Sequence, residues 1–190
     1  WRLGIDLDSP LDVLLTRGQL PADIDTAAVH DRIGRLRVVS ADAHAELLAA
    51  GRTSAWTLRW LERRTASRTR ALIEERGLRA SRGAARPPRS VLGLVLDDRG
   101  PAALGAVLAE LGDGAIVDSR VLLAHRLGAD ERRWPPAEDR FASDLLLPER
   151  IRDPWLQALT ESARDARIPV LLGGHTLVGP GLRLVLSGRR

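Results

Sequence analysis

The chain has 190 residues, 44% of them hydrophobic, four histidines, no cysteine and a formal net charge of +4. That is ample for a packed core, and the missing cysteine excludes disulfides, thiolate metal sites and thiol nucleophiles. All 29 basic residues are arginine, so Schiff-base chemistry and a phosphate-loop lysine are excluded as well. Lysine, asparagine and tyrosine are absent, the pattern of a GC-rich bacterial genome, so the abundance of arginine carries little functional weight by itself. Its placement says more: residues 51–90 hold eleven Arg against three Glu, a net of +8, between two mildly acidic ends. The longest apolar runs, such as IPVLL and VLGLVL, are far shorter than the roughly 20 residues of a membrane helix. No charged segment ahead of a hydrophobic one reads as a targeting signal, and a cytoplasmic location is expected.

In chain order, Trp1, Leu3, Ile5 and Leu7 alternate with Arg2, Gly4, Asp6 and Asp8, the period of a half-buried strand that places Asp6 and Asp8 on one side. The chain begins in the middle of this pattern and contains no methionine, so it is expected to be a piece of a longer reading frame. Ser9-Pro10-Leu11-Asp12 has the form of a capping box: Ser9 as N-cap, Pro10 at the first helical position and Asp12 reaching back. The helix it opens should be short, because Gly18 and Pro21 follow. After the turn-rich LPADIDTAA, residues 41–77 read as two helices, one from about Ala41 to Ala50, the other capped by Thr53 or Ser54 and ending at Gly77. SRGAARPPRS then reads as a linker.

Beyond the linker the pattern alternates. Strands are predicted at SVLGLVLD, AIVDSRVLLAH, IPVLLGG and LRLVLSG, and helices at PAALGAVLAELG, AEDRFASDLL and DPWLQALTESARDA. Apolar runs alternating with amphipathic helices imply an α/β fold: a largely parallel sheet with helices on both faces, preceded by a helical hairpin. The corresponding division is residues 1–16 as the end of an upstream domain, 17–82 as a helical connector and 83–190 as the α/β domain.

The opening motif, Asp6-Leu7-Asp8-Ser9-Pro10-Leu11-Asp12-Val13-Leu14, resembles the strand-turn-helix that closes the catalytic domain of MobA-like nucleotidyltransferases, a group that includes phospholactate guanylyltransferase-type enzymes. The resemblance covers about fifteen residues, with Ser9 where the family has Thr and Leu11 where it has Glu. It implies a Mg-dependent transferase in the intact protein, with Asp6 or Asp8 helping to hold the magnesium that bridges the nucleotide phosphates, and a nucleotide plus a small anionic substrate as partners. The family's glycine-rich loop would lie upstream of Trp1, so residues 1–190 alone are expected to be inactive. A strand end and helix cap without metal is the other reading of the same residues.

Three further constellations carry candidate chemistry. Gly173-Gly174-His175-Thr176, directly after IPVLL, would lie beyond the carboxyl end of a strand, where glycines let backbone N–H groups approach an anion and His175 can act as donor or general acid/base. IPVLL is apolar enough to be a central strand, and Asp118 is the carboxylate expected beside it. Asp118 and Arg120 share a face if AIVDSRVLLAH is one long strand, with His125, Glu138, Asp139, Arg140 and Asp144 as possible neighbours; an internal salt-bridge network is the alternative. Ser119, His175 and Asp144 make a triad on paper, without the nucleophile-elbow motif. Lastly, Arg59, Arg63 and Arg70 form one stripe of the second helix near Trp56 and Trp60, but charges so spread argue for a solvated face rather than a nucleic-acid surface. The binding reading of the whole is an α/β module that takes a ligand or partner at residues 173–181 without catalysis of its own. The sequence does not specify an oligomeric state.

Overall fold

The computed structural model of the protein describes residues 7–74 and 87–187. Its frame is a four-stranded sheet of β1 (Glu46–Gly51), β2 (Arg68–Ile73), β3 (Gly114–Asp118) and β4 (Val170–Gly173), every pair parallel, in the order β2-β1-β3-β4. The α/β class and the parallel sheet are as the sequence implies. Every residue of β3 and β4, and all but the first of β1, is buried. Successive strand residues point to opposite faces, so burial at every position means that both faces are covered.

The helices that cover them are α1 (Pro10–Leu15), α2 (Ala27–Ala41), α3 (Ala55–Arg64), α4 (Val91–Arg99), α5 (Leu104–Leu111), α6 (Ser119–Leu127), α7 (Ala137–Asp144), α8 (Pro154–Arg164) and α9 (Leu182–Leu186). Among the described residues none is long and apolar enough to cross a membrane. Several start where a capping side chain allows. Ser9 accepts from the Asp12 N–H, Ser54 from Thr57, Ser90 from Gly93, Asp118 from Arg120 and Asp153 from Leu156, each satisfying a donor left open by the helix geometry.

Four stretches differ from expectation. Residues 42–74 are not a helical pair: the helical N-terminal part is α1 and α2, and this stretch is β1-α3-β2, two strands of the same sheet, while the expected helix end at Gly77 lies outside the described residues. ELLAAG is rich in helix formers, but burial between two neighbouring strands overrides propensity. SVLGLVLD is α4, capped by Ser90 and stopped at Gly100 in a left-handed conformation with φ 81°. AIVDSRVLLAH is a strand only to Asp118 and then becomes α6, so Asp118 and Arg120 do not share a strand face. LRLVLSG is α9, packed on α2. In addition, β4 stands at the end of the strand order rather than in its centre, kept buried by α2, α7 and α8.

One apolar core runs through these elements, including Leu11 of α1, Leu36 of α2, Leu47 and Leu48 of β1, Ile116 of β3, Leu156 and Leu159 of α8, and Leu171 of β4. Leu11 is 1% exposed, so the opening helix is part of this body and closes over it. Leu7 and Asp8 are exposed; Asp6 and the rest of the opening alternation lie outside the described residues, as does most of the SRGAARPPRS stretch.

Candidate functional site

The strand order sets the site. From β1 the chain moves outward to β2, returns past β1 to β3, and continues away to β4, so the winding reverses between β1 and β3. Connections then leave in opposite directions from the carboxyl ends of these two strands, and the edge beyond such a reversal is the place where parallel α/β sheets take their ligands. Three loops meet there: Gly51-Arg52-Thr53-Ser54, Asp118-Ser119-Arg120 and Gly173-Gly174-His175-Thr176. Asp118 pairs in register with Gly173, so the expected neighbours are neighbours.

Two guanidinium-carboxylate pairs line this edge. Arg52 grips Asp118 with Nε at 2.6 Å from Oδ2 and Nη2 at 3.0 Å from Oδ1. Gly51 makes the approach possible. Its φ of 123° is a conformation side chains avoid, and a Cβ there would stand 2.3 Å from the Asp118 Cβ. Arg120 turns the other way, into the body, and meets Asp144 with Nη1 at 2.7 Å from Oδ1 and Nη2 at 2.6 Å from Oδ2. The same Nη1 donates to Ser119 Oγ at 2.9 Å, and that hydroxyl donates to the Gly173 carbonyl at 3.2 Å. The chain of bonds ties the ends of β3 and β4 to α7.

The electrostatics follow from burial. Asp144 is fully buried, and desolvation pushes its carboxyl up to about 6 although Arg120 pulls it back; the fields of Asp12 and Asp118 add to the rise. Burial also raises Asp12, partly offset by the Ser9 hydroxyl 2.9 Å away and the Asp8 N–H at 3.2 Å. Burial opposes the Arg120 cation too, but the Asp144 charge outweighs it and the guanidinium pKa is raised. Three carboxylates, Asp12, Asp118 and Asp144, therefore share two guanidiniums. The surplus negative charge is relieved at the most desolvated acid, Asp144.

The remaining candidates divide into those that stand at this edge and those that do not. Gly174 is open, with nothing within 4 Å of where a Cβ would be, and His175 beside it is exposed. Thr176 is buried. Gly173 serves packing, since a Cβ there would meet Leu177 at 2.8 Å and Leu11 at 3.3 Å. From His175 to Leu186 the backbone is helical apart from Gly179, so Gly174 and His175 stand at the start of a helical run rather than in a turn between strands.

The paper triad is not assembled, because Ser119 donates to Gly173 and Asp144 is bound by Arg120. Asp139 is a loop clamp, accepting the Arg152 and Asp153 N–H groups at 3.0 and 2.9 Å, and Arg140 lies over the Trp134 ring. His125 is buried elsewhere, with Nδ1 accepting the Ser90 N–H at 3.1 Å and Nε2 donating to Asp97 Oδ2 at 2.9 Å. Glu138 is exposed at the start of α7. The arginine stripe is broken up: Arg59 and Arg63 are on α3, Arg70 is on β2 paired with Glu46, and Trp56 lies exposed beneath Arg183.

Two side chains of this edge carry no signal in sequence. Arg52 is one of eleven arginines in its region and is recognisable only once β1 and β3 are adjacent. Thr53, next to it, is fully buried with a hydroxyl that has no hydrogen-bond partner among the described residues. As to metal, among the described residues no group of three or more His, Asp or Glu is arranged to hold an ion, and Asp12 is engaged by Ser9 and the Asp8 N–H. Asp8 by itself does not make a magnesium centre. Compared with protein-family models, curated proteins and solved structures, the chain matches none of them.

Proposed function

We propose that the α/β body binds a small anionic ligand, a phosphate- or carboxylate-bearing molecule, at the carboxyl edge of its sheet. The observation that carries this is the reversal of strand order between β1 and β3, with the loop after the adjoining β4 leaving the Gly174 backbone unshielded and His175 exposed at the same carboxyl edge. With no Cβ at Gly174 an anion can approach the backbone closely, and His175 supplies a donor beside it. Arg52 and Arg120 act as positioning residues: they fix the β1, β3 and β4 loops through Asp118 and Asp144. Titration of the protein with inorganic phosphate and with a nucleoside triphosphate tests this. His175→Ala should weaken binding at least tenfold with Tm unchanged; no saturable binding of either probe, or binding indifferent to His175→Ala, overturns it.

A second reading is supported by the opening motif. Ser9 caps α1 and Pro10 opens it, a helix start compatible with the resemblance to MobA-like nucleotidyltransferases, and Asp8 is exposed directly ahead. In that reading the chain is the C-terminal portion of a Mg-dependent nucleotidyltransferase with an appended α/β domain, and Asp6 or Asp8 contributes one metal ligand alongside others from outside the described residues. In a longer polypeptide that transfers nucleotides, Asp6→Asn or Asp8→Asn should raise the Mg²⁺ requirement without unfolding the body. Unchanged magnesium dependence in both variants, or nucleotide transfer by residues 1–190 alone, counts against it.

A further inference from the structure

A cleft of about 530 Å³ lies between α1, α2 and α9, lined by Leu14, Leu15, Arg17, His30, Ile33, Gly34 and Arg37 among others, and by none of Gly173, Gly174, His175 and Thr176. The volume is that of a small-molecule site. Its floor is apolar, from Leu14, Leu15 and Ile33. Its ionisable lining is Arg17, Arg37 and His30, with no carboxylate among the described residues. Arg37 is held in place by Nε, which donates to the Val185 carbonyl at 2.7 Å, and by Nη2, which donates to the Leu184 carbonyl at 3.4 Å, leaving Nη1 to face a ligand; His30 is held by a 2.9 Å bond from Nδ1 to the Thr26 carbonyl. Arg17 has no carboxylate partner among the described residues.

Two residues of this lining break local rules without a packing reason. Gly34 sits inside the 15-residue α2, where glycine is unfavourable relative to alanine, yet a Cβ there would meet nothing within 4 Å. Neither close approach nor a left-handed backbone requires it; what it does is leave the cleft open. Arg17 closes α1 in the left-handed region at φ 68°, a position that glycine fills at no steric cost, and the chain has a glycine one residue later. The side chain that bears this strain is at the mouth of the same cleft. Local rules broken together at one place, with the cost borne elsewhere, mark sites kept for function rather than stability.

We propose that this cleft binds an amphipathic organic anion, a compact acidic head on a short apolar body, with Arg17 and Arg37 facing the head and Leu14, Leu15 and Ile33 the body. An arginine fork suits either a carboxylate or a phosphate head. The site is separate from the proposed ligand site at His175. The test titrates the protein with octanoate and, in a separate arm, octyl phosphate, with octanol as the uncharged control. Saturable one-to-one binding of either anion is expected, with octanol at least tenfold weaker. Arg17→Gly should reduce affinity at least fivefold while raising Tm, because it removes the guanidinium and relieves the backbone together. Gly34→Leu should abolish binding by filling the cleft, with the circular dichroism of the folded chain retained. His175→Ala should leave unchanged the octanoate binding that Gly34→Leu removes, so this proposal can fail or stand independently of the other. No saturable binding of either anion, octanol binding as tightly, or full binding in Gly34→Leu overturns it.

Discussion

Arg52 holds Asp118 with two hydrogen bonds from one guanidinium, so the carboxyl ends of the two central strands are clamped across the place where the winding of the sheet reverses. The clamp depends on a residue with no side chain. Gly51→Ala would have to fit a Cβ at 2.3 Å from the Asp118 Cβ on a backbone of φ 123°. Strain and overpacking together should cost about 2–4 kcal/mol, measured by urea unfolding against the wild type. A loss below 0.5 kcal/mol would show that the two loops are not held in this contact.

The buried charges predict a pH dependence. Asp144 has its carboxyl raised from 3.8 to about 6, so in that window the folded state holds a proton that the unfolded state has released. The contribution of this group to stability is therefore largest below pH 3.8 and is lost as pH rises through 6. Asp144→Asn should flatten the pH dependence of stability in this window and cost about 3–5 kcal/mol near neutral pH, because it leaves the buried Arg120 guanidinium without a carboxylate in contact. A slope between pH 4 and 6 identical to that of the wild type would contradict the assignment.

Removing the cation should have the reverse effect on that slope. Arg120→Leu leaves three buried carboxylates with one guanidinium, and breaking such a pair from one side costs about 3–5 kcal/mol near neutral pH. Part of that loss should be recovered at pH 5, where Asp144 is protonated. Thermal unfolding at the two pH values separates this from a simple packing defect, which would be indifferent to pH.

Thr53 carries a fully buried hydroxyl without a partner among the described residues. Thr53→Val keeps the shape and removes the desolvated group, so it should be neutral or stabilising by up to about 1 kcal/mol. If Thr53 instead hydrogen-bonds a ligand at the sheet edge, the same variant should bind phosphate more weakly than the wild type at equal stability.

The capping of α4 joins distant parts of the chain. Ser90 Oγ accepts the Gly93 N–H at 3.1 Å and donates to Glu74 at 2.6 Å, while the Ser90 N–H is received by His125 Nδ1. Ser90→Ala should cost about 1–2 kcal/mol, the upper end of a lost N-cap. The amides at the start of α4 should then exchange hydrogen faster, with those of β3 unchanged.

What was legible in the sequence was the local chemistry of helix starts. Ser9-Pro10 and Asp153-Pro154 announce α1 and α8, and Thr53-Ser54 brackets the start of α3, because a cap is satisfied by residues two or three positions away. The alternation after residue 100 likewise gives α5, α7, α8, β3 and β4. Short apolar runs were not legible. ELLAAG and VLGLVL each fit strand or helix by composition, and the choice is made by neighbours: β2 and β3 beside the first, the Ser90 cap and the His125 ring over Gly93 for the second. The candidate site was half legible. Asp118 with Gly173 followed from strand ends meeting in a parallel sheet, whereas the Arg52 partner lies 66 residues from Asp118 and has no local signature.

That separation has a kinetic consequence. β1 pairs with β2 through a short crossover, but its other neighbour, β3, begins at Gly114, and β4 begins only at Val170. The helical turns and the β1-α3-β2 unit can form from nearby residues, while the clamp between Arg52 and Asp118 must wait for a long loop to close. Interactions made after the transition state set the rate of unfolding more than the rate of folding. If the clamp is one of them, it acts as a latch: its loss would show as faster escape from the native state, and the rate of collapse toward that state would barely change.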